Sequence, residues 1–276
     1  GTKMFVLGTS GDDVNEYILS NGFDLNGDPN DNKDVKATID AQIQLAKENI
    51  KQSIAAVSDR LSYLRANRTK DDLSKNNIKL KYGDAVLTSL NDAVLISNHT
   101  KKSIIPEDWS SWSEGSIGMT EIDSKTNSSK IDIDTQSLAV GFDKKLNNND
   151  LLGFAVQYGQ SDTDVGSNGS GIDSKNYNLS VYRTRPLEED NFIEGLIGIG
   201  FLENDITRKT DANTNTGSRK GNQLFGSVNY GKTIDKGDFN LTPTARVDLG
   251  YTELDAYSET GTNALSYDKQ TVESGL

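Results

Sequence analysis

The chain has no cysteine and one histidine, His99. Disulfide scaffolds, thiol nucleophiles and cysteine metal sites are excluded, and a histidine triad or a zinc site lacks its material. Basic residues are outnumbered, with 29 Lys and Arg against 41 Asp and Glu, a net charge of −12 over 276 residues. Such an acidic chain does not suit a protein that tracks nucleic-acid phosphates. No uninterrupted apolar run is long enough for a membrane helix. That absence leaves a membrane β-barrel untouched, because its strands need about 10 residues each and every second one is free to be polar. A leader and an initiator Met are missing as well. The chain opens at Gly1, ends at Leu276 within a strand pattern, and is read as an internal piece of a longer product, so the missing leader is uninformative.

What is present falls into segments expected at 1–25, 26–35, 36–108 and 109–276. In the first, the β-rich runs Lys3-Met4-Phe5-Val6-Leu7 and Val14-Asn15-Glu16-Tyr17-Ile18-Leu19 flank the turn residues Ser10-Gly11-Asp12-Asp13, which reads as a hairpin. The second is acidic. Its alternating oxygen-bearing residues Asp24, Asn26, Asp28 and Asn30 suit a calcium loop, but Pro29 stands where a glycine is required and Val35 where the bidentate Glu belongs. A solvated linker is the plainer reading, and no metal is expected.

The third segment is helical. Ile39, Ile43, Ala46, Ile50, Ile54, Val57, Leu61 and Leu64 recur every three or four residues, one apolar stripe over about seven turns. Asp34 or Thr38 is expected to cap this helix, and Asn67 to stop it. A shorter helix is expected over 84–96. By periodicity alone the stripe is a core helix or a coiled-coil seam.

The fourth segment alternates. Leu138, Val140 and Phe142 take one face and Ser137, Ala139, Gly141 and Asp143 the other; Leu152, Phe154, Val156 and Tyr158 alternate with Gly153, Ala155, Gln157 and Gly159. One face is large and apolar, whereas the other is small, polar or charged, with Arg246 and Asp248 together on it. A wet interior explains that second face better than a sandwich exterior does. Tyr158, Tyr177, Tyr230 and Tyr251 sit on the apolar face, where aromatic girdles belong. Phe192, Leu196 and Leu202 fall on the polar face, which implies something packed inside. Connections read as long at 123–134, 161–175, 207–221 and 254–264, and as short at 144–150, 184–191 and 233–238. Long loops at one end and short turns at the other mark an outer-membrane barrel.

The order of parts carries a resemblance. The opening hairpin resembles one unit of a β-propeller repeat of secreted bacterial proteins. A helix with Asp59-Arg60-Leu61-Ser62-Tyr63-Leu64-Arg65 follows, and Trp109-Ser110-Ser111-Trp112-Ser113-Glu114-Gly115-Ser116 opens the strand array. From residue 34 onward the chain resembles the translocator domain of a monomeric autotransporter, in which a helix threads a barrel of about 12 strands. The fold this implies is mainly β with a helical segment: an antiparallel up-and-down outer-membrane barrel, incomplete at about eight of about 12 strands, preceded by an amphipathic helix.

The resemblance implies a function too. The domain would anchor and export an N-terminal passenger (type V secretion) from the outer membrane of a Gram-negative bacterium, with the passenger outside. Its partners would be outer-membrane lipid, its own passenger and the barrel-assembly machinery, with no nucleic acid and no cofactor. Arg60 and Arg65 are expected to face acidic lumen residues, Glu114 and Glu194 being the candidates, and the stripe to rest on Leu196 and Leu202 or on the 84–96 segment. Some members of that family cut their linker at an Asn-Asn step inside the barrel; Asn76-Asn77 is such a step, or simply loop. No enzyme is expected, since no Gly-x-Ser-x-Gly elbow leads into a helix and the glycine-rich 166–171 stretch lies between strands. The alternative is a secreted, soluble β-rich adhesin whose helix mediates oligomerisation. In that case the apolar strand face would meet a second sheet or a helix.

Overall fold

The computed structural model describes residues 2–7, 14–19, 33–76, 85–89, 108–146, 149–209, 213–237 and 239–275. Strands β1 (Thr2–Leu7) and β2 (Val14–Leu19) pair as an antiparallel hairpin, Thr2 opposite Leu19 and Leu7 opposite Val14. The calcium-loop candidates Asp24, Asn26, Asp28 and Asn30 lie outside the described residues.

Helix α1 (Lys33–Ala66) starts inside the stretch read as linker. Asp34 is therefore a first-turn residue rather than a cap, placed where a carboxylate favours the helix dipole. Asn67 does act as the stop: its backbone N–H and its side-chain amide both donate to the Tyr63 carbonyl, at 3.0 and 2.9 Å. The 34 residues make a rod about 51 Å long. Of the second helix expected over 84–96, residues 85–89 are helical and the rest lie outside the described residues.

The strands follow in chain order: β3 (Lys75–Asn76), β4 (Trp109–Ile122), β5 (Ile131–Lys145), β6 (Leu151–Val165), β7 (Ser170–Pro186), β8 (Asn191–Lys209), β9 (Thr214–Lys232), the short pair β10 (Ile234–Asp235) and β11 (Asn240–Leu241), then β12 (Thr244–Leu254), the short pair β13 (Tyr257–Ser258) and β14 (Ser266–Tyr267), and β15 (Gln270–Gly275). One sheet holds nine of them in the order β15-β12-β9-β8-β7-β6-β5-β4-β3, and the pairs β10-β11 and β13-β14 stand as separate two-stranded ribbons. Every pairing is an antiparallel meander except β3, which lies parallel on the edge of β4 with Lys75 opposite Trp112. The sheet does not close on itself. It curls around α1, which buries one broad face from Val35 and Ala37 through Ile50 and Ser53 to Arg60 and Leu64, while Lys51, Ala55, Asp59, Ser62 and Ala66 leave an exposed stripe along its C-terminal half.

Alternation decides what each strand shows to the helix. Ser137, Ala139 and Asp143 of β5, Ala155 and Gln157 of β6, and Asn178, Ser180 and Tyr182 of β7 are buried against it. Phe154, Val156, Tyr177, Leu179, Val181, Ile193, Ile197, Phe201, Leu224, Val228, Val247 and Leu249 stand on the outside and are exposed. The belt on β8 runs from Ile193 to Phe201, about 27 Å along the strand and about 21 Å in height at the usual barrel tilt, close to the apolar band of a membrane barrel. Tyr158, Tyr177 and Phe201 are consecutive cross-strand neighbours at one border of the belt, with the two tyrosine rings 5.1 Å apart, whereas Tyr251 sits one row inside it, opposite Leu224. Among the described residues no second sheet covers this face. Leu87 covers part of it and buries Leu138 and Tyr158 from outside, so the described part of the expected second helix, residues 85–89, touches the barrel wall.

The connection lengths differ from those read in the sequence. The 161–175 loop shrinks to a turn at 166–169 and the 207–221 loop to 210–213, because β6 to β9 continue well past the belt. β8 and β9 each have 19 residues, where about 9–11 cross a bilayer. Beyond the belt the outer face turns polar, and a strand polar on both faces looks like loop in sequence. The 166–169 turn is tight, with Gly166 and Gly169 at φ of 66° and 80°, a region glycine enters without strain. On the outer face of these extensions Asp134, Asp162, Asp173 and Asp205 stand directly opposite one another across four adjacent strands.

Candidate functional site

The site is the interior of the sheet, filled by α1. At the helix's N-terminal end, Asp34 accepts from the Ser129 hydroxyl at 2.5 Å, and Asp40 from Ser128 at 3.2 Å, so the β4–β5 connection holds the first two turns. Ala37, Ala41 and Leu45 then pack on Ile131, Ile133, Val165, Ile172 and Ile206. Lower down, Ile43 and Ala46 rest on Leu202, Leu254 and Val272. The largest cluster joins Ile50, Ile54, Val57, Leu61 and Leu64 to Trp112, Leu151, Tyr182, Leu196 and Phe225. Burial of this stripe explains why large apolar residues such as Leu196 and Leu202 occupy a face that is otherwise small and polar.

Polar side chains on α1 meet polar wall residues between these clusters. Asn178 donates to Ser53 Oγ at 2.6 Å, Ser53 hydrogen-bonds Gln157, and Gln157 donates to Ser137 at 3.0 Å. Gln52 donates to Thr135 at 2.6 Å, and Gln223 reaches the Ala46 carbonyl at 2.9 Å. Arg60 forms a two-pronged pair with Asp143, Nε to Oδ2 at 2.7 Å and Nη2 to Oδ1 at 2.8 Å, with side chains 1% and 0% exposed. Tyr182 donates to the same carboxylate at 2.8 Å and accepts from the Trp112 indole at 2.6 Å. The Trp112 ring lies flat over Gly141, where a Cβ would overlap it. At the C-terminal end, Arg65 pairs with Glu194 at 2.5 Å and stacks 4.2 Å from the Phe192 ring centroid, while Asn229 donates to the other Glu194 oxygen at 2.9 Å.

Four of the six lumen residues named from the sequence thus pair as two couples. Arg65 meets Glu194, and Arg246 meets Asp248 on the inner face of β12 at 2.7 Å. Arg60 and Glu114 do not meet. Asp143 holds Arg60, and Glu114 faces Lys75 at 3.7 Å, because β3 runs along β4 beside it. Asn76 lies in β3, its backbone beside Ser113 on the sheet's edge, past the point where α1 has left the interior; Asn77 lies outside the described residues. The sequence reading missed Asp143 and Tyr182 as wall partners of the helix, and Ser53 as the helix residue that meets Gln157 and Asn178. Asp143 was visible as the charged member of the face that holds Ser137, Ala139 and Gly141, and Tyr182 as the aromatic out of phase with Tyr177, Leu179 and Val181. No group of potential metal ligands occurs among the described residues.

A curled, antiparallel sheet with an apolar outer belt and a helix along its interior defines a membrane β-barrel domain with a helical plug. The comparisons identify the family. The autotransporter beta-domain model matches residues 111–276, more than half of the chain, and the chain belongs to that family. It is an outer-membrane domain of the type V secretion class. The translocator domain of the autotransporter NalP from Neisseria meningitidis has the same fold, with a TM-score of 0.54 and 15% identity over 70% of each chain. The beta domain of the Bordetella autotransporter BrkA aligns over 60% of this chain and 96% of its own, at 11% identity and a TM-score of 0.27. No curated relative matches the chain.

Proposed function

We propose that this domain anchors an N-terminal passenger at the outer membrane and exports it to the cell surface, acting as a conduit and without turning over a substrate. The observation that carries this reading is the path of α1. It enters beside the 123–130 and 166–169 turns and leaves beside Glu194, so the chain preceding Lys33 emerges at the end where the strands overshoot the belt. That end is the outer one in this reading, and β1–β2 is the last piece of the passenger. The exposed belt would face lipid, and the unclosed sheet edges would be handled during insertion by the barrel-assembly machinery, since unpaired backbone is costly in a bilayer.

The test is surface display of the full-length protein in a Gram-negative host, with an epitope inserted between β1 and β2. Antibody should label intact cells, and deletion of residues 109–276 should abolish labelling. Surface labelling that survives that deletion would refute the proposal.

A further inference from the structure

The connection between β12 and β15, residues 255–269, folds inward over the N-terminal half of α1 instead of standing free. Tyr257 packs on Ala37, Ala41 and Leu45, and stacks on Tyr267 with ring centroids 4.6 Å apart. Two buried arginines hold this connection by different means. Arg208 grips its tip, with Nε and Nη2 on Glu259 at 2.9 and 2.5 Å and Nη2 on the Asn263 carbonyl at 3.0 Å. All of those partners belong to the connection itself. Arg219 grips both ends of it and also the helix. Its Nε donates to the Asp255 carbonyl at 2.7 Å, Nη2 to the Asp268 carbonyl at 2.8 Å, and Nη1 to Gln42 Oε1 at 3.0 Å and Gln270 Oε1 at 3.3 Å. Its guanidinium lies 5.4 Å from the Tyr257 ring centroid.

We infer that residues 255–269 are a lid over this mouth of the barrel and that Arg219 is the positioning residue that lets the lid close only on a seated helix. Without α1 the guanidinium loses Gln42 and Nη1 keeps only its longer bond to Gln270, while Tyr257 loses the Ala37, Ala41 and Leu45 surface that buries it. A buried guanidinium with an unmet donor is costly, so the closed lid and the seated helix stabilise each other. Arg208 cannot sense the helix, because none of its partners belongs to α1. The inference concerns only the helix and the lid, and it holds whether or not the passenger is exported.

The chain has no cysteine, so Ala41→Cys places a single thiol beneath Tyr257. The experiment measures maleimide labelling of this thiol in the full-length protein folded in detergent micelles, with folding checked by the gel-mobility shift on heating. Arg219→Ala and Gln42→Ala should each raise the labelling rate by roughly tenfold or more, as expected for loss of a charge-assisted hydrogen bond. Gln42→Glu keeps the acceptor for Arg219 but loses the Nε2 donation to the Thr38 carbonyl, so its rate should stay well below that of Gln42→Ala, and a rate equal to that of Gln42→Ala would count against the inference. Unchanged labelling in both alanine variants would overturn the inference. So would an equal rise at a second reporter, Ser58→Cys, because the whole helix would then have loosened. If Arg219→Ala fails to fold, Gln42→Ala decides alone.

Discussion

Truncating Arg60 to alanine is expected to destabilise the domain by about 3–4 kcal/mol. Asp143 would remain fully buried with one donor left, the Tyr182 hydroxyl at 2.8 Å. Breaking a buried pair from one side costs about 3–5 kcal/mol. The lower part of that range applies because Arg60 Nη1 has no partner among the described residues, so the intact pair is itself incompletely compensated. The same reasoning predicts that Arg60→Met combined with Asp143→Leu costs only about 1–2 kcal/mol, most of it from the Tyr182 hydroxyl losing its acceptor. Urea titration in micelles, followed by the mobility difference between folded and unfolded bands, measures both. Arg60→Ala within about 1 kcal/mol of the parent, or a double variant as costly as the two single changes added together, would refute the argument.

Asp162→Asn is expected to raise stability by about 0.5–2 kcal/mol, because Asp162 stands directly between Asp134 and Asp173. The gain should shrink at high salt, and a salt-independent effect would point to another cause. Gly141→Ala should cost about 2–4 kcal/mol in the same titration, since the new methyl displaces the Trp112 ring and with it the bond to Tyr182. Burial pushes the Tyr257 phenol up to about 12, and its stacked partner Tyr267 is raised as well. A raised folded value means that this contribution is whole below the ordinary phenol range near pH 10 and is lost as pH rises through about 12. Tyrosinate absorbance should therefore show late ionisation of part of the 10 tyrosines, and a single transition near pH 10 would contradict it.

The parts of the fold legible in sequence are those where the two strand faces differ. Leu138, Val140 and Phe142 against Ser137, Ala139, Gly141 and Asp143 place β5 and its inward face correctly. The helical stripe from Ile39 to Leu64 is likewise where periodicity puts it, and Phe192, Leu196 and Leu202 mark the packed interior. The contrast fails beyond the belt. There Asp162, Asp173 and Asp205 face water while Ser161, Ser174 and Asn204 face the interior, so the strand period carries no hydrophobic signal. Arg219 fell in such a stretch and was read as loop. Pairings across the interior were legible only as charge and side. Which carboxylate receives Arg60 depends on the axial level of the helix, and no local pattern encodes that level.

That level is set by a match between two repeats. One turn of α1 advances about 5.4 Å. Two residues of a strand, the step between successive inward side chains, advance about 6.8 Å along the strand and about 5 Å along the barrel axis at the usual tilt. A helix slipped by one turn would therefore meet the next layer of wall residues nearly in phase, and shape alone would tolerate it. The polar partners would not. Slipped toward its N-terminus, Arg60 would leave Asp143 for the layer of Gly141 and Trp112, burying a guanidinium against an indole. Slipped the other way, it would approach Lys145, whose ammonium already holds the Lys70 carbonyl at 3.2 Å. Ser53 would part from Gln157 and Asn178 in either case. Apolar packing holds the helix inside the barrel; the charged and amide contacts fix where along the axis it stops.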